Sequence, residues 1–178
     1  MKLLLDCARG DRTWRWRSLL YLLGLTTLSS ILASCLDSLN PVAILPGGIN
    51  SQAFDGDPAY SSDGRYLAFA SDRRNNRDIF LYDLQQRRLI DLPNLNQAFA
   101  AESEPALSAD GRYIAYVSNA RGKSDIFVYD RLQRRTQLLT AGVKGSVRHP
   151  TITGDARFIA FETNQLGQWH IAVIEWRK

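Results

Sequence analysis

The chain has 178 residues, 45% of them apolar and 22% charged, with a formal net charge of +4. The positive balance lies in the first 34 residues; without them 17 basic and 16 acidic residues remain, a net +1 that lacks the basic footprint of a nucleic-acid binder. Both cysteines, Cys7 and Cys35, also lie at this end, so the remainder offers no disulfide framework and no thiol nucleophile. The 144 residues after position 34 suffice for one domain with a real core.

In chain order, Lys2, Arg9, Arg12, Arg15 and Arg17 form a basic region, followed by an apolar stretch over 18–33. Together with the small residues before Cys35, this pattern reads as a secretory signal over 1–34. Its ending, Leu32-Ala33-Ser34-Cys35, is similar to the bacterial lipobox, in which the cysteine becomes the lipidated first residue. Asp6, Asp11 and the length of the basic region depart from the usual form; a plain signal peptide or an uncleaved anchor is the alternative. Residues 35–41 read as a tether, and Val42-Ala43-Ile44-Leu45-Pro46 as a single strand.

Three similar segments follow. They run DPAYSSDGRYLAFAS from Asp57, EPALSADGRYIAYVS from Glu104 and HPTITGDARFIAFET from His149. Behind them stand DIFLYDL from Asp78, DIFVYDR from Asp125 and HIAVIEW from His170. Both sets of anchors recur at 47 and then 45 residues, the length of a β-propeller blade. Each complete unit predicts four antiparallel strands, with an apolar strand such as Tyr66-Leu67-Ala68-Phe69-Ala70 buried on both faces. Asp63-Gly64 and Asp110-Gly111 predict hairpins with positive φ at both residues, and Gly154-Asp155 an altered third turn. The fold class is therefore all-β, with blades at about 57–92, 104–139 and 149–176 in a domain spanning 42–178, half of a six-bladed propeller.

The third unit shows only three strands, and the strand at 42–46 resembles the fourth strand of the first unit, Leu89-Ile90-Asp91-Leu92. Two chains would supply six blades, the strand of each completing the open blade of the other; an open three-blade wedge is the alternative.

The pattern Pro-Ala-x-Ser-x-Asp-Gly-Arg-Tyr-Leu/Ile-Ala-Phe/Tyr-x-Ser, then Asp-Ile-Phe-x-Tyr-Asp, resembles the TolB-type propeller repeat over about 42–176. The resemblance implies a periplasm-facing envelope protein whose partner is another envelope protein, such as a peptidoglycan-associated lipoprotein. Half the usual blades and a lipid anchor of its own set this chain apart from that family's full-length members.

No Gly-x-Ser-x-Gly elbow, phosphate loop, or His and Cys spacing for zinc is present, so no enzyme, no cofactor and no metal are expected. The recurring Asp63, Asp110, Asp78, Asp125, Asp83 and Asp130 fit turn chemistry better than calcium ligation. Strand parity places Asp57, Glu104 and His149 on one rim with Arg73, Arg74, Asn75, Asn76, Arg77, Arg121, Lys123 and Gln168. Loops on a rigid scaffold carry recognition, so this rim is the candidate binding surface, a solvated rim being its ordinary reading. The repeated aromatics, Phe158 among them, read as core, and Trp169 as a cap or an interface anchor. Solvent-facing aromatics on the rim would favour a glycan or cell-wall ligand; a pure assembly scaffold is the other alternative.

Overall fold

The computed structural model describes residues 48–177, all of them in one compact unit, Leu45–Lys178. The readings of 1–34, of Cys35 and the tether, and of the strand at 42–46 lie outside the described residues.

Among the described residues eleven strands form three antiparallel sheets. The first holds β1 (Asp55–Tyr60), β2 (Tyr66–Ser71), β3 (Asp78–Asp83) and β4 (Arg88–Ile90). The second holds β5 (Glu102–Leu107), β6 (Tyr113–Ser118), β7 (Asp125–Asp130) and β8 (Arg135–Leu138). The third has β9 (Val147–Ile152), β10 (Phe158–Thr163) and β11 (His170–Glu175). Each sheet is a meander in sequence order, the arrangement of a propeller blade.

Every residue of β2, β3, β6 and β7 is buried, because each of these sheets is covered on both faces. We call the face toward lower residue numbers leading and the other trailing. The trailing face of the first blade (Tyr66, Ala68, Ala70, Ile79, Leu81) packs on the leading face of the second (Ile114, Tyr116, Phe127, Tyr129). The trailing face of the second (Tyr113, Ala115, Val117, Ile126, Val128) packs in the same way on Ile159, Phe161 and Ile174 of the third. Each large apolar side chain buried in this way stabilises the stack by about 1.5–3 kcal/mol. Trp176 seals the second junction, edge-on to Tyr113 at 5.0 Å, with its indole N–H donating to Gln137 Oε1 at 3.1 Å.

The turns correct the sequence reading. Asp63 and Asp110 do not have positive φ; only the glycines do, at 70° for Gly64 and 64° for Gly111. The Gly64 N–H donates to Ser61 O, and the Ser61 N–H to Tyr66 O, so the turn is longer than a two-residue hairpin. The Asp63 carboxylate accepts from the Ser61 hydroxyl and the Arg65 N–H, which holds the loop in shape. The third turn keeps this geometry rather than altering it: Asp155 sits in the Asp63 position, and Ala156 takes the glycine's place at φ 57°. At Gly111 only glycine fits, since a Cβ would lie 2.5 Å from Tyr66 Cδ2. Phe158 is a second correction: it is 37% exposed rather than core, because it belongs to the trailing face of the third blade.

Candidate functional site

The innermost strands, β1, β5 and β9, carry one bulge each. Asp57-Pro58 face the single residue Phe69, Glu104-Pro105 face Tyr116, and His149-Pro150 face Phe161. The first residue of each bulge lies in the left-handed region, at φ 52°, 51° and 50° for Asp57, Glu104 and His149. Non-glycine residues pay for that conformation with strain, which packing and hydrogen bonds must hold in place. Here the hold is a chain of contacts between blades. The Glu104 N–H donates to Asp57 Oδ2 at 3.3 Å, and the His149 N–H donates to the Glu104 carboxylate. Each acid thus fixes the backbone of the next blade while its side chain stays partly open to solvent.

Two arginines and a further acid extend this row. Arg77 Nη2 lies 4.0 Å from Asp57 Oδ2 and its guanidinium stacks on Phe54 at 4.6 Å. His149 Nδ1 is 3.4 Å from Glu162 Oε1, and Arg148 Nε donates to Glu162 Oε2 at 2.7 Å. The Arg148 hydrogen bond holds the Glu162 carboxyl below its ordinary range. The His149 side chain is 59% exposed, so the row is reachable from solvent.

Of the residues expected on this rim, Asp57, Glu104, His149 and Arg77 come together. The others serve local structure. Arg73 bridges Asp55 at 2.8 Å and donates to Gly48 O and Ile49 O. Arg74 lies over the Phe80 ring at 5.0 Å. Arg121 and Lys123 both reach Asp125, a fully buried carboxylate that also accepts from Thr140 Oγ1 at 2.8 Å. Gln168 and Asn75 are exposed, while Asn76 donates to Ala100 O and Gln97 O.

Sequence reasoning missed Glu162, Arg148 and Glu102. Glu162 replaces the apolar residues Ala70 and Val117 of the other copies, and that substitution was the available signal. Glu102 is fully buried; burial pushes its carboxyl up to about 7, against a hydrogen bond from Ser118. Trp169 is 42% exposed, with the Arg148 guanidinium over its ring at 3.9 Å. Phe54 and Phe99, in the segments entering β1 and β5, are 58% and 102% exposed. Among the described residues no group of three or more His, Cys, Asp or Glu side chains could hold a metal ion.

Repeated antiparallel meanders stacked around a strained inner row define the β-propeller class of fold. The profile of the TolB beta propeller domain matches residues 48–178, and the chain belongs to that family. No curated protein matches the sequence. Among solved structures, TolB from Acinetobacter baumannii superposes with a TM-score of 0.60 at 20% identity, over 71% of this chain and 31% of that one. A putative TolB from Agrobacterium tumefaciens gives 0.56 at 22% identity, over 67% and 42%. The chain therefore spans less than half the length of either structure. An oligogalacturonate lyase solved with manganese gives 0.51 at 13% identity, over 72% and 37%, so this fold also occurs in enzymes.

Proposed function

We propose that this protein is a non-enzymatic lipoprotein of the bacterial envelope that binds another envelope protein through its axial row. The reading is supported most by the row itself: Asp57, Glu104 and His149 stand on three rigid bulges, with Arg77, Arg148 and Glu162 beside them. A rigid row of mixed charge suits recognition of a folded polar surface, because pre-set groups lose little freedom on binding. The Leu-Ala-Ser-Cys35 motif and the basic, then apolar, segment before it support lipidation and a periplasm-facing location.

Titration with a purified peptidoglycan-associated lipoprotein tests the binding reading. Binding should weaken at least tenfold in His149→Asp, which places a carboxylate at the most exposed position of the row. Absence of binding, or equal binding by the variant, would remove this reading. Incorporation of a labelled fatty acid that disappears in Cys35→Ser tests the anchor separately.

A glycan or cell-wall ligand is the second reading, and it rests on Phe54, Phe99 and Trp169 exposed on the loop rim. Cell-wall fragments that quench Trp169 fluorescence, with no quenching in Trp169→Ala, would favour it over a protein partner.

A further inference from the structure

The two described ends of the blade stack differ in how they are covered. On the leading face of the first blade, Leu67, Phe69, Phe80 and Tyr82 are buried, with Ile49, Leu84 and Leu89 packed against them. On the trailing face of the third, Ile171 is 78% and Val173 62% exposed, beside the partly exposed Phe158. Tyr66, Ile79 and Leu81 hold the same positions in the first blade, and Tyr113, Ile126 and Val128 in the second, all buried by the next blade.

The connector between the first two blades shows what belongs on such a face. Asn94 is left-handed at φ 66°, and it lies against the second blade: Thr136 Oγ1 donates to Asn94 O, and Asn94 Nδ2 to Arg134 O. Leu95 is fully buried in the junction. Asn96 then caps the first blade, accepting from the Ile79 N–H at 2.8 Å and donating to Ile79 O at 2.9 Å.

Residues 48–50 repeat this connector. Gly48 is left-handed at φ 101° and lies against Leu89, the strand position that corresponds to Thr136. Ile49 packs on the leading face as Leu95 does, and Arg73 grips the Gly48 and Ile49 carbonyls. Asn50, in the position of Asn96, is exposed. The first blade therefore presents a leading face with its connector already seated, and the asparagine on that connector has no strand of a preceding blade to cap within these sheets.

Charge points to the same match. The position of Ala70 and Val117 on the trailing face is Glu162 in the third blade. The aromatic pair that such a position packs against, Tyr116 and Phe127 at the first junction, is Phe69 and Phe80 on the leading face of the first blade. Those two rings carry the Arg73 guanidinium at 5.1 and 4.7 Å. An acid replaces an apolar residue on the exposed trailing face of the third blade, and a base is added on the leading face of the first. Finally, among the described residues β11 pairs only with β10, and an open cleft of about 350 Å³ lined by Tyr113, Val128, Thr136 and Gln137 lies beside Trp176 at its end.

We propose that the trailing face of the third blade is the interface for a second copy of this chain, whose connector and first blade seat on it. Asn50 of the second copy caps Ile171 as Asn96 caps Ile79, and its Arg73 meets Glu162. The same contact made in both directions closes a six-bladed ring about a twofold axis and leaves no free face.

The test uses the full chain, extracted in mild detergent and co-expressed with two different tags, with benzoylphenylalanine in place of Ile171. The two tagged forms should co-purify, and light should join position 171 of one copy to residues 48–50 or Leu89 of the other. Ile171→Asp, an exposed change that leaves the sheet signal in circular dichroism intact, should cut co-purification at least tenfold. Failure to co-purify, crosslinks to a different protein, or co-purification that survives Ile171→Asp would overturn the proposal.

Discussion

Asp55 and Glu102 occupy one position of the repeat, opposite Ser71 and Ser118 at the start of the inner strand, yet they hold their protons very differently. Burial pushes the Asp55 carboxyl up, but hydrogen bonds from Arg73, Ser71 and Ser51 outweigh it and bring the pKa down to about 2. At Glu102 burial wins: Ser118 donates at 3.0 Å, the Gln97 N–H at 3.4 Å, and the carboxyl stands at about 7, with Asp78 adding repulsion. The place of Arg73 is taken by Ala120 in the second blade. The backbone repeats faithfully, and the balance between burial and the hydrogen bonds that Arg73 and its neighbours supply decides whether the acid is charged.

The strongest way to break this contrast is Arg73→Ala. It strands the Asp55 carboxylate and frees the connector carbonyls, and it should lower stability by about 3 kcal/mol in urea unfolding. That figure is at the low end for breaking a buried pair, because the Asp55 side chain keeps 17% of its exposure.

Glu102→Gln acts through pH. The Glu102 pKa is raised on folding, so its contribution is fully present below the ordinary 4.5 and is lost as pH rises through about 7. Wild-type stability relative to Glu102→Gln should therefore fall by about 2–3 kcal/mol between pH 4.5 and 8, read from urea midpoints across that range. A constant difference would mean that Glu102 titrates normally.

The smallest expected effect sharpens the comparison instead. Ala120 is exposed, and Ala120→Arg would place a base over Glu102 as Arg73 lies over Asp55. The Glu102 pKa, followed by carboxyl NMR, should drop by at least one unit, which regains about 1.4 kcal/mol at pH 8. No change would show that Arg73 depends on more than its place in the repeat.

The fold was legible because its signals are local and repeated. Tyr66–Ala70 and Tyr113–Val117 are apolar runs of strand length, and the prolines at 58, 105 and 150 mark the same bulge each time. The turn conformation was misread because Asp-Gly carries a hairpin signal whichever residue takes positive φ, and here the aspartate works through its carboxylate. At the site, Asp57, Glu104 and His149 were found by strand parity within the repeat. Glu102 was not, since a sequence shows an acid but not that three-dimensional packing removes its water. The roles of Arg73, Arg121 and Lys123 were hidden for the same reason: each neutralises a carboxylate whose burial only the folded sheets create.

The blades are also joined through their backbones. The Asp63 N–H donates to Ala109 O at 3.0 Å, and the Ala109 N–H donates to Gly154 O at 2.9 Å. Among the described blades only the second is flanked by a blade on each side, so opening it requires parting both junctions, whereas β11 can fray alone. Amide hydrogens of β6 and β7 should thus be the last to exchange with deuterium and those of β11 the first. The stack would then unzip from its third blade, and whatever covers that face sets how long the whole chain stays shut.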